Sequence, residues 1–70
     1  MKKRLHLASS KELTFLTKIV EGAGHLATIQ TISGQDALAD VHCTAKQWPE
    51  VEELLYALQK RGAVTILSIN

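Results

Sequence analysis

The stretch Ser33-Gly34-Gln35-Asp36-Ala37-Leu38-Ala39-Asp40-Val41-His42-Cys43-Thr44 decides the fold. Ser33 to Asp36 is a hairpin turn signal, with Gly34 accepting the positive φ that such turns need. Ala37 to Thr44 then alternates. Ala39, Val41 and Cys43 fall on one side, and Leu38, Asp40, His42 and Thr44 on the other. A period of two marks a strand with one dry face and one at least partly wet face. The turn needs a strand before it, and His25 to Ile32 supplies one, rich in the β-branched residues Thr28, Ile29, Thr31 and Ile32. Ala27, Ile29 and Thr31 share one of its faces, and Leu26, Thr28, Gln30 and Ile32 the other; alternation alone does not choose the buried one.

On the C-terminal side of this hairpin the period changes. Between Gln47 and Arg61, Val51, Leu54, Leu55 and Leu58 repeat at i, i+3, i+4, i+7, the spacing of a buried helical stripe. Pro49 suits the first turn, where its missing N–H costs nothing. Thr44 and Gln47 have capping-box spacing. Glu50, Glu52 and Glu53 sit near the positive end of the helix dipole, and Lys60 and Arg61 near the negative end. Gly62 stops the helix. Ala63 to Ile69 follows as a closing strand, Val64, Ile66 and Ser68 facing one way and Thr65, Leu67 and Ile69 the other.

The N-terminal side mirrors this arrangement. Arg4 to Ala8 alternates, with Leu5 and Leu7 on one face and His6 on the other. Ser9 and Glu12 have capping-box spacing, so a helix is expected over Lys11 to Glu21. Leu13, Leu16 and Val20 form its main stripe, with Thr17 between them, and Phe15 and Ile19 a second one. Gly22 and Gly24 end it.

The element order is strand, helix, strand, strand, helix, strand. Right-handed crossovers place both helices on one face of the sheet. The arrangement that closes is an α+β, ferredoxin-like split β-α-β sandwich: a four-stranded antiparallel sheet of order 4-1-3-2, in one domain spanning residues 1–70. Leu5, Leu7 and Val41 should then sit deep, covered by the two helical stripes. The other sheet face stays bare. Ile32, Leu38, Leu67 and Ile69 are expected partly on that face or at its ends, and Phe15 and Ile19 exceed what the core needs, so burial against a second copy is expected.

Composition narrows the function classes. Eight Lys and Arg against seven Asp and Glu leave a net charge of +1, which predicts no strong attraction to nucleic acid or to an anionic membrane. A lone cysteine, Cys43, allows no internal disulfide and no cysteine-based zinc site, and a cytoplasmic chain is expected. Met1-Lys2-Lys3-Arg4 resembles the start of an export signal, but Leu5 to Glu12 is too polar to continue one. No apolar run approaches the ~20 residues that span a bilayer.

The sequence shows no recognisable catalytic centre, metal site or cofactor site. His6, Asp40 and His42 are imaginable together on the open sheet face, but as three polar side chains filling a wet surface, since zinc wants three or four ligands. His25 reads as a turn histidine. Cys43 shares the register of Ala39 and Val41 and reads as a small core residue, opposite in direction to His42. Ser9 and Ser10 offer hydroxyls and free N–H groups before the first helix. An RNA platform would want aromatics on the central strands, whereas Phe15, Trp48 and Tyr56 fall on or beside helices.

The β-α-β-β-α-β order resembles the ACT domain and its relatives. The stretch Leu13 to Ile32, with its Ile19-Val20-Glu21-Gly22 step, is similar to that of short bacterial proteins of ACT-like shape. The resemblance implies a non-catalytic regulatory domain that binds a small molecule such as an amino acid at a dimer boundary and acts on a separate enzyme chain. It implies ligand contacts in the loop after the first strand, here Ala8, Ser9, Ser10 and Lys11, although this loop lacks the glycine common there. Two other readings stand beside it: an assembly module using the open sheet face or an edge strand, and a small enzyme or metal-binding protein using His6, Asp40 and His42.

Overall fold

The computed structural model describes residues 1–24 and 26–70, so the reading of His25 lies outside the described residues. The elements are β1 (Lys2–Leu7), α1 (Ser10–Gly22), β2 (Thr28–Ser33), β3 (Leu38–His42), α2 (Trp48–Lys60) and β4 (Ile66–Ile69). The strands form one sheet of order β2-β3-β1-β4, every neighbouring pair antiparallel. This is the expected 4-1-3-2 order read from the opposite edge.

The periodicities explain the core. Leu5 and Leu7 of β1 join Ala39 and Val41 of β3 in one buried cluster with Leu13, Leu16 and Val20 of α1 and Val51, Leu55 and Leu58 of α2. Leu5 stands directly opposite Ala39, so the small side chain leaves room for the large one beneath the helices. Ala27 is buried and Ile29 packs on the cluster, which settles the dry face of the second strand.

Both helix starts are built from local sequence. Ser9 caps α1, its hydroxyl accepting from the Glu12 N–H at 3.4 Å. Thr44 and Gln47 cap each other before α2: the Thr44 N–H donates to Gln47 Oε1 at 3.1 Å, and the Gln47 N–H to Thr44 Oγ1 at 3.1 Å. Gly62, with φ +79°, lets the chain leave α2 through a left-handed residue.

Four expectations are corrected. The positive φ of the hairpin belongs to buried Ala37, at 53°, and not to Gly34. The last strand begins at Ile66, and Val64 is buried ahead of it in the connection. Ile69 belongs to the core side, because β4 is bulged: Leu5 pairs Ile69 and His6 pairs Ser68, but Leu7 pairs Ile66, so Leu67 is an extra residue. A similar irregularity in β2 lies between Thr31 and Ser33, and the residue there, Ile32, is exposed like Leu67. Asp40, expected on a wet surface, is only 4% exposed.

Candidate functional site

The bare sheet face is polar. Paired residues of an antiparallel ladder share a face, so the register assembles it row by row. His42 stands between Thr28 and Lys2, Asp40 between Gln30 and Arg4, and His6 between Leu38 and Ser68. Arg4 Nε donates to Asp40 Oδ1 at 2.5 Å and Nη2 to Oδ2 at 3.4 Å, while Lys2 Nζ stands 3.9 Å from Oδ2. The Arg4 hydrogen bond holds the Asp40 carboxyl below its ordinary range, against the opposing effect of burial. His42 Nε2 lies 3.1 Å from Gln30 Oε1.

The structure therefore brings Asp40 and His42 beside Arg4 and Gln30, and places His6 a row away opposite Leu38. Asp40 is committed to a guanidinium. Among the described residues, no three His, Cys, Asp or Glu side chains gather in a group that would hold a metal ion. Arg4 is the participant the sequence reading missed. The signal was present, since Arg4 shares the parity of His6 and faces Asp40 once β1 and β3 are paired.

A concavity lies elsewhere, on the helix side of the sheet. A groove of about 470 Å³ runs between α1 and the end of β2. One wall is the α1 flank formed by Ser10, Leu13, Thr14, Thr17, Lys18 and Glu21; Thr31, Gly34 and Gln35 form the other. The flank exists because residues three and four apart share one side of a helix. The Thr14 and Thr17 hydroxyls donate to the carbonyls of Ser10 and Leu13, at 3.1 and 2.9 Å, and keep lone pairs free to accept. Lys18 and Glu21 add opposite charges one turn apart.

Of the loop residues implied by the ACT resemblance, Ser10 lines this groove. Ser9 is engaged in capping, the Ala8 N–H donates to the Thr65 carbonyl at 3.1 Å, and Lys11 is exposed. Glu12 is a further residue the sequence reading took only as a cap: its Oε1 accepts the Thr65 N–H and ties α1 to the strand leading into β4. Cys43 is half-buried against the core, just past β3. Lys3 Nζ sits 5.6 Å from the Trp48 ring centroid, a cation–π pair linking β1 to α2. No helix among the described residues is long and apolar enough to cross a membrane.

A family model described as "Domain of unknown function (DUF4911)" matches residues 8–61. The chain belongs to this family. The DUF4911 match runs from the loop after β1 to the end of α2, so it contains both walls of the groove, the hairpin and Asp40. It leaves out Arg4, which holds Asp40 in place, and all of β4. No curated protein and no solved structure matches the chain. The ACT likeness is one of element order, and the family match does not extend it to an ACT assignment.

Proposed function

We propose that this DUF4911 domain is a non-catalytic binding domain that takes a small polar molecule, of the amino-acid class, in the groove between α1 and β2. The observation that carries this reading is the groove itself. Its volume of about 470 Å³ lies within the range of small-molecule sites. Its lining suits a zwitterion: Lys18 for a carboxylate, Glu21 for an ammonium group, and Ser10, Thr14, Thr17 and Thr31 as hydrogen-bonding hydroxyls. Leu13 supplies an apolar floor. Among the described residues the lining holds no histidine or cysteine, and so open a groove offers little shelter for chemistry.

The test is a thermal-shift panel of the proteinogenic amino acids at millimolar concentration on the full chain, repeated with Lys18→Ala and Thr17→Val. One or a few amino acids should raise Tm, because a ligand that binds only the folded state stabilises it. Lys18→Ala should abolish the shift. A panel with no response, or a shift unchanged in Lys18→Ala, overturns the reading.

A further inference from the structure

The two edges of the sheet are not equivalent. The Arg4 N–H and C=O bond to Asn70, and the Leu7 N–H bonds to the Ala37 carbonyl. Backbone groups alternate in direction along a strand. Residues 37, 39 and 41 of the third strand therefore direct theirs toward β1, and residues 38, 40 and 42 toward β2. Across the β2–β3 register, Thr28 and Gln30 face inward. The N–H and C=O groups of Ile29 and Thr31 consequently face out from the sheet, and no hydrogen bond from another element reaches them among the described residues. At the other edge the outward Ile66 N–H donates to Gln59 Oε1 at 2.9 Å, and the bulge at Leu67 breaks the line of β4.

Exposed edges are ordinarily guarded by lysine, proline or a bulge. The run Thr28-Ile29-Gln30-Thr31 has no charge and no proline, and the irregularity in β2 comes only after it. We propose that two copies of the chain pair antiparallel through β2 about a two-fold axis at Gln30, making one continuous eight-stranded sheet. Ile29 of one copy then exchanges both backbone hydrogen bonds with Thr31 of the other, and the reverse. This register satisfies every outward group of the run. It also runs the two α1 helices antiparallel on the same side. Their facing flanks carry Lys18 and Glu21, so each lysine meets a glutamate of the second copy, a self-complementary pattern suited to a two-fold contact. The pairing does not require the groove to hold a ligand.

The oligomeric state is read without ligand, which separates this inference from the binding reading. Light-scattering mass of the full chain at micromolar concentrations should give twice the 7.7 kDa of one chain. Gln30→Lys, which sets two ammonium groups side by side at the axis, should give a folded monomer by circular dichroism. Lys18→Glu should weaken the dimer, and adding Glu21→Lys should restore it. In a Cys43→Ser background, Gln30→Cys should form a covalent dimer under mild oxidation, because facing residues of that pair lie within disulfide reach. Thr28→Cys should not, because its copies stand about 13 Å apart along the strands. A monomeric parent chain, a dimer that survives Gln30→Lys, or equal cross-linking at positions 28 and 30 overturns the proposal.

Discussion

Arg4 and Asp40 stand directly opposite each other on β1 and β3, and the guanidinium Nε donates to the carboxylate at 2.5 Å. The pair lies in the middle row of the bare sheet face and leaves Asp40 almost without solvent contact. The face thus resolves its own buried charge within one chain. It also makes the stability of the fold depend on pH.

Asp40 has its carboxyl pKa lowered from the ordinary value of 3.8, chiefly by the Arg4 hydrogen bond. A depressed carboxylate contributes stability that is fully present above its unfolded value and is lost as pH falls through the folded one. Asp40→Asn should lower Tm at neutral pH, and the gap from the parent should close as pH drops below 3.8. Thermal melts from neutral to acidic pH check this. A gap of constant size would show that the pair is not its source.

Leu55 is fully buried, whereas its neighbour Tyr56 is half exposed. Leu55→Ala should cost about 2–5 kcal/mol, from lost burial and the cavity left behind. That is comparable with the whole stability expected of so short a chain. Tyr56→Ala should stay within about 0.5 kcal/mol, as surface substitutions do. Urea denaturation of both variants gives the comparison, and similar midpoints would contradict the packing of α2.

Glu12 joins the start of α1 to the backbone at Thr65, and Ser9 caps the same helix. Ser9→Ala should cost about 1 kcal/mol, and Glu12→Ala a similar amount as one hydrogen bond disappears. The two residues also touch each other, Ser9 Oγ to Glu12 Oε2 at 3.4 Å. The double variant should therefore cost less than the sum of the singles. Strict additivity in chemical denaturation would mean that the two contacts act separately.

Ala37 combines a φ of 53° with full burial. An L-residue there carries about 1 kcal/mol of backbone strain, which glycine would relieve, but glycine would also lose a buried methyl worth about 0.8 kcal/mol. Ala37→Gly should therefore change stability by less than about 1 kcal/mol. Ala37→Val should be clearly destabilising although it adds apolar surface, because a β-branched residue resists positive φ. Denaturation midpoints in which the valine variant equals the parent would remove the strain argument.

What was legible follows from period and end signals. The stripe Val51, Leu54, Leu55 and Leu58 and the alternation of Ala39 and Val41 each bury correctly only in one kind of element, so order and sheet topology could be read without coordinates. Ser9 and the Thr44–Gln47 pair announced the helix starts in the same local way. Ile69 was misplaced because the extra residue at Leu67 shifts the face of β4, and single-strand alternation does not show a bulge that arises only when β4 pairs with β1. Asp40 was read as wet because its cover comes from Arg4, thirty-six positions away. The groove was touched only at Ser10, because its walls are an α1 flank and a β2 edge brought together by packing.

The amino-acid order alone determined the elements, their succession and the faces that must be dry, since those depend on neighbours within a few positions. Tertiary structure decided which charges meet, where a concavity opens and which strand edge is left unbonded. Those outcomes depend on distances between residues remote in the chain, and periodicity carries no measure of them.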